Sequence, residues 1–125
     1  MGYNGVDLKY SISIGKIYSI HYFEYMSDFS FEGEIHNFWE FICVDKGEVG
    51  VTADKTFTVL KKGDIAFHQP NEFHSVQATG ETAPNLVVIS FECRSPAMDF
   101  FRKGIFKIDD LERNLLANII IEAKN

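Results

Sequence analysis

Polar and apolar residues alternate in short runs along most of the chain, and turn-forming residues separate the runs. Apolar side chains at every second position are typical of strands with one buried face. The alternating runs are residues 48–52, 56–60, 64–68 and 74–79, and a continuous apolar run follows at residues 86–93. Strands this short and closely spaced, with no helix between them, predict a β-sandwich or barrel over residues 9–94.

The N-terminal part of this region has a less regular pattern. Residues 1–8 mix glycines with polar side chains before any periodicity starts, so they predict a flexible terminus. Residues 9–25 are rich in β-branched and aromatic side chains, which favour strands. Gly15 interrupts this stretch and predicts a bend or bulge between two strands.

Residues 31–44 have the strongest apolar pattern and predict one long central strand. Phe38 and Ile42 share one face of that strand, while Trp39 and Phe41 share the other. Both faces are therefore largely apolar, which is typical of a strand buried on two sides. Either a helix or a second protomer should cover the outer face of the barrel here.

The pattern becomes helical after residue 94, so residues 95–125 form a separate C-terminal segment. Ser95 and Pro96 are suited to a helix start, and they predict a short helix over residues 96–103. Asp109 and Glu112 have capping-box spacing and predict a second helix from residue 109. One face of that helix is an apolar stripe, formed by Leu111, Leu115, Leu116, Ile119 and Ile120.

The width of this stripe predicts that the second helix is the main contact of a homodimer. Exposed apolar patches of this kind usually mark an interface. The alternative is that the helix folds back onto the Trp39 and Phe41 face of its own barrel, because that face also needs a cover. Both can hold if different edges of the helix face different partners.

One group of polar side chains stands out within the predicted barrel. Glu34, His36, Phe38 and Glu40 have the same strand parity, and a turn at residues 70–72 delivers His74 nearby. These residues are the predicted lining of a small-molecule pocket. Its carboxylates and imidazoles could instead hold a divalent transition metal through Glu34, His36, Glu40 and His74, or form only a structural polar network. His21 is a further pocket candidate, or else a half-buried strand histidine.

Composition limits the classes of function. The chain has 125 residues with 46% hydrophobic content, enough for one domain with a core. A net charge of −6 argues against a nucleic-acid contact by this chain itself. Cys43 and Cys93 lie in apolar runs and predict buried free thiols in a reducing, cytoplasmic setting. No apolar run is long enough for a bilayer, and there is no phosphate loop or cysteine-nucleophile signature.

Two motifs resemble those of the cupin family. They are Glu34-x-His36-x3-Glu40-x6-Gly47 and Gly63-x5-Gln69-x-Asn71-x2-His74. Glu34 stands where cupins usually have their first metal-binding histidine, which adds a negative charge and a harder ligand. The sequence around both motifs resembles the N-terminal sensing domain of AraC-type transcription regulators over residues 16–123.

The resemblance implies a mainly β fold, namely a cupin-like double-stranded β-helix, or jelly-roll barrel, followed by two C-terminal α-helices. It implies a domain that senses a small polar metabolite and dimerises, with no catalytic residue and no required cofactor. DNA would be bound only by a helix-turn-helix part outside these 125 residues. The alternative is a stand-alone metal-dependent cupin enzyme of the isomerase or dioxygenase class.

Overall fold

Nine strands, one 3₁₀ helix and one α-helix make up the described part of the chain in a computed structural model. The structure describes residues 12–24, 28, 30–102 and 104–124, so the flexible terminus predicted at residues 1–8 lies outside the described residues. The strands are β1 Ile14–Glu24, β2 Ser30–Glu34, β3 Trp39–Lys46, β4 Glu48–Ala53, β5 Thr56–Lys61, β6 Asp64–His68, β7 His74–Ala78, β8 Asn85–Cys93 and β9 Ile105–Lys107. The 3₁₀ helix spans Pro96–Phe101, and α1 spans Asp110–Lys124.

The strands form two antiparallel sheets that face each other. The first sheet has the order β1-β8-β3-β6-β9, and the second has the order β2-β7-β4-β5. Residues from both sheets meet in one fully buried cluster that contains Ile42, Val44 and Leu86 from the first sheet and Val49 and Leu60 from the second. This arrangement confirms the mainly β, jelly-roll prediction.

A second apolar cluster covers the outer face of the first sheet. Trp39 and Cys43 point outward from β3 and pack with Phe91 of β8 and Met98 of the 3₁₀ helix. Leu116 and Ile120 of α1 pack against the same cluster. The predicted cover is therefore present, and it comes from the chain's own C-terminal segment.

The predicted strand boundaries are wrong in two places. The irregularity predicted at Gly15 is present in the pairing with β8, but residues 14–24 on both sides of it form one strand, and residues 9–11 and 25 of the predicted stretch lie outside the described residues. The long strand expected at residues 31–44 is broken, because β2 ends at Glu34 in one sheet and β3 begins at Trp39 in the other. The backbone carbonyl of His36 in this break accepts a hydrogen bond from the Asn71 N–H at 2.7 Å, which replaces strand pairing.

Both C-terminal helices are present, with changed details. The first is a 3₁₀ helix at Pro96–Phe101, shorter than the α-helix expected at residues 96–103. The capping box of the second is formed, because the Asp109 N–H donates to Glu112 Oε1 at 2.9 Å and the Glu112 N–H donates to Asp109 Oδ1 at 2.8 Å. These two bonds satisfy donors at the helix start that have no partner within the helix.

Candidate functional site

A cavity of about 350 Å³ lies between the two sheets, next to the edge strands β1 and β2. Its walls are mainly apolar, with three phenylalanines, Phe23, Phe31 and Phe38, and aliphatic side chains from β3, β7 and β8. The polar lining consists of Ser19, His21, Glu34, Glu40, His74 and Ser90. An apolar cavity with a few convergent polar groups is the usual form of a small-molecule site.

Glu40 is the central polar residue of this site. It shares the inward parity of Ile42 and Val44 on β3, so the strand carries its carboxylate into the interior. The Ser90 hydroxyl donates to Glu40 Oε1 at 3.0 Å, and His74 Nε2 lies 3.1 Å from Glu40 Oε2. Three strands of both sheets therefore converge on one carboxylate.

Glu34 reaches the same cluster from β2. Its Cα is paired with that of His74 across the β2–β7 ladder, after an irregularity that contains Gly33 at φ 113°. Glu34 Oε2 lies 3.1 Å from His36 Nε2, and Glu40 Oε1 lies 3.5 Å from the same nitrogen. The side chain of Glu34 is 45% exposed, so it stands at the mouth of the cavity.

His36 joins the cluster without lining the cavity, which differs from its predicted role. Its ring lies flat against Phe38, with centroids 3.9 Å apart and planes 6° apart, and Phe38 provides the cavity wall. The break between β2 and β3 produces this position. His21 does line the cavity but is an exposed residue of β1, with its ring 5.2 Å from that of Phe23.

Backbone carbonyls fix the orientation of two histidines. His36 Nδ1 lies 3.2 Å from the Phe38 carbonyl oxygen, and His74 Nδ1 lies 3.1 Å from that of Glu72. A carbonyl oxygen only accepts hydrogen bonds, so each Nδ1 carries the proton. Each Nε2 is then left facing carboxylates, where it needs either a second proton or a positively charged ligand.

The Nε2 atoms are also poorly satisfied. Those of His36 and His74 are buried and have no hydrogen-bond partner in the described part of the chain. The 3.1 Å approach of Glu40 to His74 is thus an ion contact in which the oxygen lies off the ring's hydrogen-bonding direction. Buried nitrogens in this state are costly, which makes the cluster a candidate site for a ligand or metal.

Glu40 and His74 each stabilise the charged form of the other. Burial opposes the charge on Glu40, but the contacts with His74, Ser90 and His36 outweigh it and lower the pKa of the carboxyl. Burial likewise opposes a charge on His74, but Glu40 and the Glu72 carbonyl outweigh it and raise the pKa of the imidazole. Glu40 therefore favours the protonated form of His74, and protonated His74 favours the ionised form of Glu40.

His68 is a site residue that the sequence reasoning missed. It is 2% exposed, and its ring stacks on that of His74 at 4.4 Å and 6°. Burial and the neighbouring His74 lower the pKa of His68 to about 4, so it is neutral beside the Glu40 and His74 pair. The available signal was parity, because Ala66 and His68 share the inward face of β6 and His68 pairs with Glu40 across the ladder.

No cysteine nucleophile is available near this site. Cys43 and Cys93 are both free and buried, as predicted, and both belong to the outer apolar cluster. Burial raises the pKa of the Cys43 thiol to about 11, which keeps it protonated. Among the described residues, no helix is long and apolar enough to cross a membrane.

Comparisons with known proteins agree with this architecture. The family model described as AraC-like ligand binding domain matches residues 16–118. An RmlC-like cupin from Shewanella frigidimarina is similar in structure, with 19% identity and a TM-score of 0.54 over 68% of this chain and 71% of that chain. The cupin domain of Cnp3 from Schizosaccharomyces pombe has 13% identity and a TM-score of 0.56, over 74% and 68% of the two chains.

Apo ToxT from Vibrio cholerae is also similar, with 6% identity and a TM-score of 0.58 over 82% of this chain and 46% of that chain. At these identities the structural likeness shows the cupin fold alone. No curated protein sequence matches the chain significantly.

Proposed function

The chain belongs to the family of AraC-like ligand-binding domains, and we propose that it is the effector-sensing and dimerising part of an AraC-type transcription regulator. The single observation that supports sensing is the cavity of about 350 Å³ with its Glu34, Glu40 and His74 cluster. Its volume lies at the lower end of the range for small-molecule sites, about 300–1,000 Å³. The effector is then a small polar metabolite, the chain acts in the cytoplasm, and DNA binding belongs to a part outside these residues.

A thermal-shift screen of a metabolite library tests the sensing role. A ligand that binds only the folded protein raises the melting temperature by mass action. Val88 lines the cavity, so Val88→Phe should fill it and abolish the shift from any true effector. Val59 is 40% exposed and lies outside the cavity lining, which makes Val59→Phe the matched control. A shift that survives Val88→Phe would place the ligand elsewhere and contradict this proposal.

The dimer proposal rests on how α1 divides its apolar stripe. Leu116 and Ile120 pack against the outer cluster of their own barrel. Leu111, Leu115 and Ile119 are 68%, 54% and 40% exposed and form the edge offered to a second copy. A two-fold pairing of these edges would remove them from water.

Paired substitutions on the two edges of α1 separate dimerisation from folding. Leu115→Glu with Ile119→Glu should convert a dimer to a monomer in sedimentation experiments, with the β-type circular dichroism unchanged. Leu116→Glu with Ile120→Glu should destabilise the barrel itself, because charges would enter the outer cluster. A wild-type chain that sediments as a monomer at roughly tens of micromolar would refute the dimer contact.

A metal-dependent cupin enzyme is the second candidate function. Glu34, His36, Glu40 and His74 each offer a ligand atom, and these atoms lie within 4.8 Å of one another. The residues fit a divalent transition metal, since carbonyl-anchored histidines with a free Nε2 are typical metal ligands. A metal bound there would supply Lewis-acid chemistry. Glu40 would have to exchange part of its contact with His74 and Ser90 for the ion.

Metal analysis of untagged protein, purified without chelator, decides between the two candidates. Stoichiometric Zn, Mn, Fe or Ni that is retained in the wild type and lost in His74→Ala would favour the metal-dependent candidate. Protein without bound metal that still binds an organic ligand would favour the sensor.

A further inference from the structure

The fixed charges of the cavity lining have one sign. Glu34 and Glu40 contribute carboxylates, and none of the lining residues is a lysine or arginine. A ligand with a carboxylate or phosphate group would meet these carboxylates with only titratable histidines to offset them. Like charges disfavour such a ligand, and the cost grows as the cavity loses water.

The two carboxylates differ in how far they are already neutralised. Glu40 is held by Ser90 at 3.0 Å and by His74 at 3.1 Å, and it is largely buried. Glu34 has a single such neighbour, His36 Nε2 at 3.1 Å, among the described residues, and is 45% exposed. Glu34 is therefore the carboxylate that can receive a charged group from a ligand entering at the mouth.

Aromatic rings share the cavity lining with this carboxylate. Phe31 is on the same strand as Glu34, lines the cavity and is 45% exposed, so part of its ring is open to a ligand. Phe38 also lines the cavity, but the stacked His36 ring covers one of its faces, with centroids 3.9 Å apart. Aromatic faces attract cations, most strongly where water is excluded.

From this arrangement we propose that the effector is a small organic cation, an amine or quaternary ammonium compound with an apolar body. This inference rests on the proposed sensing function. The charged group lies at the mouth against Glu34 and the Phe31 ring, and the apolar body lies inward against Ile42 and Val88. A bare metal ion would satisfy the charge but would leave an apolar cavity of about 350 Å³ without an occupant.

Calorimetry with three probes of matched skeleton tests the sign of the charge. The probes are 2-phenylethylamine, 2-phenylethanol and phenylacetate, each titrated into the full chain in the presence of EDTA. The amine should bind at least about tenfold more tightly than the alcohol, and the acid most weakly, as expected for a desolvated cation–π and carboxylate contact. Glu34→Gln should reduce the preference for the amine to about threefold or less. Glu81→Gln removes an equal charge from an exposed residue outside the lining and should leave the preference unchanged.

The outcomes separate this inference from the sensing role. Equal or tighter binding of the alcohol or acid, abolished by Val88→Phe, would overturn the cationic effector and leave the sensor standing. Failure of all three probes to bind, while a neutral or acidic library compound does, would have the same meaning. Amine binding that survives Val88→Phe, or that disappears only because EDTA is present, would overturn the inference as well.

Discussion

Replacing His68 by phenylalanine should make the protein more resistant to acid. His68 is buried against His74, and its pKa is lowered to about 4 from an ordinary value of 6.5. Between about pH 6.5 and pH 4, His68 is therefore protonated in the unfolded chain but stays neutral in the folded protein. His68 therefore costs the folded protein almost nothing well above pH 6.5, and it lowers the free energy of unfolding progressively as the pH falls from 6.5 towards 4. Phenylalanine keeps a ring for the stacking but cannot titrate, and it loses the 3.3 Å contact of His68 Nδ1 with Glu72 Oε1 at every pH.

The size of this effect follows from the two pKa values. A difference of one pKa unit corresponds to about 1.4 kcal/mol. Between about pH 7.5 and pH 4.5 the wild type should lose roughly 2–3 kcal/mol more unfolding free energy than His68→Phe. His68 is 2% exposed, so solvent screening does not reduce this figure appreciably.

Urea unfolding of the two proteins at a series of pH values, in the presence of EDTA, measures the difference. Titration of the His68 ring by NMR gives an independent value for the same group. Equal loss of stability in both proteins over this pH range would refute the assignment of His68 as a neutral buried imidazole. A pKa near 6.5 for the His68 ring in the NMR titration would also refute this assignment.

Three further predictions concern single residues. Asp109→Ala should cost about 1 kcal/mol of unfolding free energy in urea titrations, because it removes the side chain that caps the Glu112 N–H. Gly33→Ala should lower the free energy of unfolding by about 1–3 kcal/mol, and the melting temperature with it. The reason is that φ is 113° and the added carbon would lie 2.6 Å from the Phe73 ring. Cys43 should be alkylated at least about 100-fold more slowly than free cysteine at pH 8, when followed by mass spectrometry, because it is buried and its pKa is about 11.

Short-range sequence patterns predicted the start of the C-terminal helix α1 well. The capping box depends on residues three apart, Asp109 and Glu112, and both of its hydrogen bonds are formed. The division of the α1 stripe was less accessible, because parity within the helix does not say which edge meets the barrel. Leu116 and Ile120 contact the outer cluster, while Leu115 does not belong to it. The dimer contact itself stays a prediction.

The break between β2 and β3 was hidden because the alternation of side chains continues through it. Glu34, His36, Phe38 and Glu40 keep one parity, so periodicity alone favours an unbroken strand. What ends β2 is a hydrogen bond to a distant turn, between the His36 carbonyl and the Asn71 N–H. The sequence predicted that these side chains converge, but on one unbroken strand. Because the strand is broken, His36 stacks on Phe38 and does not line the cavity.

The candidate site depends on strand register, which the sequence does not contain. Glu34, Glu40, His74 and Ser90 come from four strands in two sheets. The pairings of β2 with β7 and of β3 with β8 set them side by side within each sheet, and the packing of the two sheets brings His74 to Glu40. The charge states follow from the same non-local contacts. His68 and His74 are stacked imidazoles, yet their pKa values move in opposite directions. Burial and the neighbouring His74 lower that of His68, while the close Glu40 carboxylate raises that of His74. Parity could select inward-facing candidates such as His68, but the opposite pKa shifts of two stacked histidines are a property of the folded sandwich.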